Sequence, residues 1–160
     1  NLARIAKGFG MEVYAYDPYL TNEIMSKDSV HPLEKIEDIF KTGDYVSLHI
    51  PANAETKKSI NWDLLSLLPE GATLVNTARK EVIDEDALLK AFAEKKGFRY
   101  VTDVAPANLD AINEQYADRM YATPKKMGAQ TAEANSNAGI AAAKQIIAFF
   151  EKGDKTYKVN

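Results

Sequence analysis

The sequence predicts an α/β fold in which helices flank a doubly wound parallel sheet. Segments with the periodicity of amphipathic helices alternate with short apolar runs along the chain, and the connections between those runs are too long for hairpins. Strands joined by such crossovers lie parallel in one sheet. The chain has 160 residues, which is enough to bury the core of one domain.

Composition and charge argue against several classes of function. The net charge of -3 provides no basic field for nucleic acid or for a membrane surface. There is no cysteine, which excludes disulfides, thiolate zinc sites and a cysteine nucleophile, and which suits the cytoplasmic location that we expect. No apolar run approaches the roughly 20 residues that cross a bilayer. We expect no metal, nucleic-acid or membrane partner.

The predicted helices share apolar residues on one face, and several of them end at a glycine. They cover residues 2–9, 33–40, 62–68, 84–92 and 132–150. The predicted strands are short apolar or alternating runs that end at turn residues. They cover residues 11–16, 45–50, 72–76, 98–103 and 119–122. The polar residues 20–32 are predicted to form a loop or a short helix, and residues 106–118 are predicted to be irregular.

The residues that directly follow the strands are the candidates for chemistry, because parallel sheets bind ligands at the carboxyl ends of their strands. They are Asp17, Pro51, Thr77–Arg79, Asp103 and Pro124–Met127. An acid at the position of Asp17 can accept both ribose hydroxyls of adenosine and repel a 2′-phosphate, which favours NAD over NADP. The alternative is a strand-ending aspartate in a turn before Pro18, which is the commoner role for a single such residue.

Two further positions have both a chemical and a structural interpretation. Arg79 can bind a substrate carboxylate through a forked guanidinium and polarise the adjacent carbonyl, while backbone groups of Thr77 and Ala78 face the nicotinamide. Asp103 can accept a hydrogen bond from a carboxamide. The structural alternatives are a surface arginine in a loop and a turn aspartate.

Lys125 and Lys126 lie between a predicted strand and the last predicted helix. A lysine there can transfer a proton if burial lowers its pKa, although adjacent lysines are more often solvated. His31 and His49 are not spaced as a metal pair, and His49 is interpreted as a core or rim histidine of its strand.

The chain begins directly with a predicted helix, with no strand or glycine-rich loop before it. We therefore expect an N-terminally incomplete nucleotide-binding domain over residues 1–160, with the first strand, the glycine loop and the substrate domain outside this sequence.

Five segments, in this order and spacing, resemble one family. They are Phe9–Pro18, Leu48–Pro51 with Glu55-Thr56 and Ile60-Asn61, Leu74–Arg79 with Val82–Glu85 and Ala87-Leu88, Asp103-Val104, and Thr123-Pro124 with Gly128–Thr131. Nearly the whole chain is similar to the cofactor domain of the NAD-dependent D-2-hydroxyacid dehydrogenases, which has a Rossmann-type fold. Within that family it looks most like the members that oxidise D-3-phosphoglycerate in serine synthesis.

The resemblance implies hydride transfer between NAD and C2 of a 2-hydroxy acid, in a homodimer. Arg79 would bind the substrate. The cofactor would be bound by Asp17 at the adenosine ribose, Ile50 and Pro51 along the cleft, and Thr77, Ala78, Arg79 and Asp103 at the nicotinamide end.

Three positions depart from the family pattern. Lys80 replaces a glycine after Arg79, Asn108 replaces the catalytic glutamate, and a lysine replaces the catalytic histidine. Counting from Thr123-Pro124 identifies that lysine as Lys125, whereas counting back from Gly128-Ala129 identifies it as Lys126, which we favour. Since a lysine is cationic without a carboxylate partner, with a reference pKa of about 10.4, the loss of the glutamate and the gain of the lysine are interpreted as one change.

Two alternatives remain. The first alternative is another dehydrogenase of the family that acts on glyoxylate, hydroxypyruvate or lactate. The second is a non-catalytic NAD-binding regulator that has lost the usual proton-transfer pair.

Overall fold

The strands of this computed structural model, described for residues 1–27, 30–124 and 131–159, pair in parallel throughout. Two strands form a small sheet, β1 (Tyr14–Ala15) with β2 (His31–Pro32). The larger sheet has the order β3-β4-β5-β6 and consists of β3 (Tyr45–Leu48), β4 (Thr73–Asn76), β5 (Arg99–Thr102) and β6 (Met120–Ala122). Helices alternate with these strands along the chain, so the predicted α/β class with parallel strands is confirmed.

In the described part of the chain a helix lies in each connection between successive strands, as parallel strands require, and further helices precede β1 and follow β6. They are α1 (Leu2–Gly8), α2 (Asn22–Lys27), α3 (Ile36–Thr42), α4 (Trp62–Leu65), α5 (Glu85–Glu94), α6 (Leu109–Tyr116) and α7 (Ala132–Lys152). A short 3-10 helix, Lys80–Val82, lies between β4 and α5. The chain divides into two compact units, Asn1–Thr123 and Pro124–Asn160.

One sequence prediction was incomplete and another was wrong. Residues 20–32 contain not only α2 but also β2, a two-residue strand with a proline that has too little length for a periodic signal. Residues 106–118, predicted as irregular, contain α6. The apolar residues Leu109, Ile112 and Tyr116 of α6 do have helical spacing, and the side chain of Ile112 is fully buried.

The core lies against the larger sheet and is built from its strands and from the helices α3 to α6. Leu74 and Tyr100, on the two central strands, are at most 1% exposed. Phe92 of α5 contacts Phe98 edge-on, with 5.1 Å between the ring centroids, and stacks on Tyr116 of α6, with 5.5 Å between the ring centroids. Each large apolar side chain buried in this way contributes about 1.5–3 kcal/mol to the free energy of unfolding.

The start of α5 is fixed by its own sequence and brings acidic residues to the carboxyl edge of the sheet. The Asp84 carboxylate accepts hydrogen bonds from the backbone N–H groups of Asp86 and Ala87, which are otherwise unpaired at a helix start. The backbone of Asp84 also donates to Ile60 O, at 3.0 Å. This tie holds the start of α5 against the loop that precedes α4, and therefore near the end of β4.

The second unit is dominated by α7. Thr131 caps its first turn by accepting from Ala134 N–H at 3.0 Å, and Gly153 ends it in the left-handed region at φ 65°. None of its described residues is buried, and its large apolar side chains are exposed, including Ile140, Ile146 and Phe150. No helix among the described residues is sufficiently long and apolar to span a membrane.

Candidate active site

A cavity of about 500 Å³ opens at the carboxyl edge of the larger sheet, between the ends of β3 and β4. The segment that follows β3 lines one side, and the segment that follows β4 lines the other. The lining residues are Leu48, His49, Ile50, Pro51, Ala52, Thr77, Ala78 and Arg79. Five of the residues predicted from the sequence to contact cofactor or substrate therefore line one cavity: Ile50, Pro51, Thr77, Ala78 and Arg79.

The wall after β3 is a rigid turn. Asn53 Oδ1 accepts from the backbone N–H groups of Glu55 and Thr56, both at 2.9 Å. The Thr56 hydroxyl donates to the Pro51 carbonyl. These bonds fix the position of Pro51 without help from a ligand. His49 is exposed at the rim, and its Nε2 lies 3.0 Å from the Ser47 hydroxyl.

The wall after β4 is held from below by Asn76, which is 1% exposed. Its Oδ1 accepts from Ala78 N–H at 3.0 Å, and its Nδ2 donates to Arg79 O at 3.0 Å. The exposed Arg79 side chain donates through Nη1 to Ala78 O at 2.9 Å. Because a guanidinium has five N–H donors, this one bond leaves donors that can bind an anion in the cavity.

Lys80 causes no strain in this loop. Arg79 has an extended backbone, and among the described residues other than glycine only Lys58 has a positive φ, of 57°. The loop therefore does not need the backbone freedom that a glycine at position 80 would give. Its continuation is anchored by Lys58 N–H to Glu81 O at 2.8 Å and by Ile60 N–H to Val82 O at 3.0 Å.

Asp17 follows the small sheet and does not line the cavity at the end of β3 and β4. Its Oδ1 accepts from Tyr19 N–H at 2.8 Å, so the residue forms the turn that the structural alternative predicted. The carboxylate is only half-buried, and a turn that uses one oxygen leaves the second for another donor. The two interpretations of Asp17 are therefore compatible.

Asp103 follows β5, the neighbour of β4 in the larger sheet. Its Oδ1 is buried and has no hydrogen-bond partner among the described residues. A buried acceptor without a partner is destabilising by about 1–3 kcal/mol, and a donor from a ligand removes that cost. An unpaired carboxylate oxygen suits the amide N–H of a carboxamide.

Position 108 lies beside a carboxylate that sequence analysis did not identify. Glu85, in the first turn of α5, accepts from Ala107 N–H through Oε1 at 2.8 Å. Asn108 donates through Nδ2 to the Glu85 backbone carbonyl at 2.9 Å, and its own Oδ1 is buried without a partner in the described part of the chain. The acidic start of α5 was a signal for a helix terminus, and nothing in the sequence linked it to residue 108.

Lys125 and Lys126, the predicted proton-transfer residues, lie outside the described residues, as does Met127. Pro124 belongs to the second unit and is exposed. Throughout the ranges that are described, no three His, Cys, Asp or Glu side chains are grouped so that they could hold a metal ion.

The sequence of this chain is similar to those of known proteins. Residues 1–126 match the family described as D-isomer specific 2-hydroxyacid dehydrogenase, NAD binding domain. The chain is 34% identical over 154 residues to D-3-phosphoglycerate dehydrogenase of Methanocaldococcus jannaschii, covering 91% of this chain and 28% of the relative. It is 33% identical over 150 residues to hydroxypyruvate reductase of Thermotoga maritima, covering 91% and 47%.

The fold is also similar to a solved structure. The NAD+-bound 3-phosphoglycerate dehydrogenase of Entamoeba histolytica superposes with a TM-score of 0.84 and 43% identity, covering 98% of this chain and 49% of that chain. The chain thus spans less than half the length of each of these relatives.

Proposed function

Because the chain belongs to the NAD-binding domain family of the D-isomer specific 2-hydroxyacid dehydrogenases, we propose that the protein oxidises D-3-phosphoglycerate to 3-phosphohydroxypyruvate, in serine biosynthesis. The observation that carries this proposal is the cavity in which Arg79 faces the turn at Ile50 and Pro51 across the ends of two parallel strands. That edge of an α/β sheet is where such folds bind their ligands. The similarity to two D-3-phosphoglycerate dehydrogenases supports the choice of substrate.

The residues of this chain fit the cofactor. When bound, NAD supplies the acceptor for the hydride that leaves C2. Asp103 would bind the carboxamide through its unpartnered Oδ1, beside backbone groups of Thr77 and Ala78. Ile50 and Pro51 would exclude water along the cleft, and Asp17 would bind the adenosine ribose.

Arg79 would hold the substrate carboxylate and orient C2. The hydroxyl proton would pass to a lysine, Lys126 or Lys125, in place of the histidine that the family uses. This assignment rests on the sequence and on the chemistry of the residue type.

The domain boundary is part of the proposal. β3 is an edge strand of the larger sheet, and β1 and β2 form a separate sheet. In the nucleotide-binding strand order 3-2-1-4-5-6, β1 and β2 would be the second and third strands, and β3 would be the fourth. The first strand of that order would then lie between β1 and β3 and join both sheets. We propose that this strand, with its glycine-rich loop, and the substrate domain come from parts of the protein outside this sequence.

We also propose a cytoplasmic homodimer. The exposed apolar side chains of α7, among them Ile147 and Phe150, support a covering partner surface. The absence of cysteine supports a reducing compartment.

Two other functions have support. The similarity to a hydroxypyruvate reductase favours a 2-oxo acid reductase of the same family. Asn108, which carries no charge where the family has its catalytic glutamate, favours a non-catalytic NAD-binding regulator.

The full-length protein should form NADH from NAD and D-3-phosphoglycerate, with little product from the L enantiomer or from D-glycerate, which lacks the phosphate. Absorbance of NADH measures this directly. Faster turnover of hydroxypyruvate or glyoxylate with NADH would support the reductase. Tight NAD binding with no turnover of any of these acids would contradict an enzymatic function and favour the regulator.

Replacing Asp17 with asparagine separates its two roles, because the amide oxygen can still accept from Tyr19 N–H in the turn. The ribose hydroxyls would then donate to a neutral amide oxygen and not to a charged carboxylate. NAD binding should therefore weaken about 10-fold to 100-fold, as expected for hydrogen bonds to a charged group. NADP should be discriminated against less strongly, since the repulsion of its 2′-phosphate is gone. The dissociation constants of both cofactors measure the effect, and an unchanged NAD constant would leave Asp17 a turn residue only.

A further inference from the structure

Asn76 is the last residue of β4 and concentrates four hydrogen bonds in a fully buried position. Two of them, to Ala78 N–H and Arg79 O, hold the loop that carries Arg79. A third joins Nδ2 to the Tyr100 hydroxyl at 3.2 Å, and the fourth brings the Thr102 hydroxyl to the Asn76 backbone carbonyl at 2.7 Å. Both of these partner hydroxyls come from β5, from residues that the sequence analysis did not single out.

The side chain of Asn76 is not needed for the sheet, because β4 pairs with both neighbours through its backbone. Its amide instead holds two residues of the loop that follows. A buried amide without partners would be destabilising, so its bonds to Ala78 and Arg79 fix the loop in one conformation. The position of the Arg79 backbone therefore depends on the orientation of one amide.

Tyr100 holds that amide in place from the neighbouring strand. An amide nitrogen has two N–H donors, and here one is directed to Arg79 O and the other to the Tyr100 hydroxyl. If the amide turned over, Oδ1 would face the Arg79 carbonyl, and two acceptors would repel each other. Burial raises the pKa of Tyr100, against the effect of its hydrogen bonds to Asn76 and Thr102, so the hydroxyl stays neutral at physiological pH and can accept from Asn76.

We infer that Tyr100 and Asn76 form a positioning pair for Arg79, in which the tyrosine hydroxyl anchors the amide and the amide sets the loop that presents the guanidinium to the substrate carboxylate. This inference rests on the proposed function. Neither side chain touches substrate. The pair acts on the binding of the acid through Arg79 and leaves the cofactor contacts after β3 unchanged.

Thr102 extends the pair to the neighbouring loop. Its hydroxyl is bonded to the Asn76 carbonyl, and its oxygen also accepts from Val104 N–H at 3.1 Å, directly after Asp103. Asn76 and Thr102 face each other in the register of β4 and β5. The loops that carry Arg79 and Asp103 are thus joined through one buried hydroxyl, which keeps their separation fixed.

Tyr100→Phe in the full-length protein tests the inference, because it removes one hydroxyl and keeps the ring that packs in the core. We expect kcat/KM for the 2-hydroxy acid to fall about 3-fold to 10-fold, as for the loss of one hydrogen bond, with a smaller rise in the NAD dissociation constant, because Asn76 also holds Ala78. Tyr45→Phe is the matched control, since Tyr45 is 64% exposed on β3, and it should leave both constants unchanged.

A double-mutant cycle distinguishes positioning from a general effect on folding. With Arg79→Ala already present, Tyr100→Phe should reduce kcat/KM no further, because the group that it positions is gone. Independent, additive losses would overturn the inference, as would an NAD dissociation constant that rises as much as the KM of the acid.

Failure of the proposed function is recognised separately. A wild-type protein that turns over no 2-hydroxy or 2-oxo acid contradicts the function, and the positioning pair is then measured by oxalate binding to the NADH-loaded protein. Tyr100→Phe should weaken that binding and have no effect on it in the Arg79→Ala background. Equal oxalate affinity in wild type and Tyr100→Phe overturns the pair.

Discussion

Arg79→Ala is expected to reduce kcat/KM for the 2-hydroxy acid by about 100-fold to 10,000-fold, the effect of losing two charge-assisted hydrogen bonds of about 1.5–3 kcal/mol each. The reason lies in the geometry after β4. Asn76 fixes the Arg79 backbone, and one guanidinium nitrogen is bonded to Ala78 O, so the planar group is held at the cavity before any substrate arrives. Steady-state kinetics with varied acid at saturating NAD measures the loss.

Two control variants define what the guanidinium contributes. Arg79→Lys keeps the charge and loses the planar fork, so we expect it to recover only part of the activity. Arg99→Ala removes another exposed arginine, at the first residue of β5 and therefore at the opposite end of the strands, where it donates to Gly71 O. It should leave kcat/KM unchanged.

The way the loss divides between constants also matters. If the Arg79 contacts are stronger in the transition state, where charge develops on the carbonyl oxygen, kcat falls along with the affinity for the acid. A rise in KM alone would mean that Arg79 only binds the carboxylate. Full activity of Arg79→Ala would refute its assignment as the substrate-binding residue.

The sequence predicted which residues lie at the carboxyl edge of the sheet, because the physical rule is local. A residue that directly follows a parallel strand lies at the carboxyl edge, wherever the rest of the chain goes. Pro51 and Thr77–Arg79 are separated by more than twenty residues in sequence, and the parallel register of β3 and β4 brings them to one cavity. Asp103, one strand further along, follows from the same rule.

What the sequence could not predict depends on contacts between strands and helices. Nothing in the run Arg99–Thr102 indicates that the Tyr100 hydroxyl reaches Asn76, since an aromatic residue on the inner face of a strand is ordinarily core packing. The proximity of Glu85 to residues 107 and 108 arises from the packing of α5 beside α6. Such pairs have no periodicity and no fixed spacing in sequence.

One strand of the small sheet, β2, was missed for a related reason, whereas β1 lies within the strand predicted over residues 11–16. β2 is two residues long, and its hydrogen bonds run from His31 N–H to Val13 O and from Leu33 N–H to Ala15 O. Its stability therefore depends on β1, not on any pattern of its own. A short strand that includes Pro32 has weak intrinsic preference for the sheet, and tertiary pairing decides its conformation.

The second large effect is expected from the lysines at the position of the family's histidine. Replacing the proton-transfer lysine with alanine should lower kcat about 100-fold to 10,000-fold, the usual contribution of a general acid or base, while the NAD dissociation constant stays within a small factor. Lys126→Ala should show this loss and Lys125→Ala should not. Lys144→Ala, an exposed lysine of α7, is the matched control.

Steady-state turnover and direct titration with NAD separate chemistry from binding. If Lys125→Ala has the larger effect, then Lys125 occupies the position of the family's histidine, as counting from Thr123-Pro124 indicates. The extra residue of the loop then comes after that position in the sequence. If both variants retain full turnover, the lysine mechanism is refuted and the proton must reach solvent by another group. His49, exposed at the rim of the same cavity, is then the next titratable residue to replace.

The pH profile gives the mechanism a signature that a histidine does not produce. In the oxidation of the hydroxy acid the lysine must be neutral to accept the hydroxyl proton, so kcat should rise with pH through the pKa of the lysine. A free lysine has a pKa of about 10.4 and a free histidine of about 6.5, so a lysine should give an ascending limb at higher pH than a histidine would. In the reverse reduction the protonated lysine is required, and activity should fall over the same range. Removal of the lysine should abolish this limb, and a limb near neutrality that survives in both lysine variants would assign proton transfer to another residue.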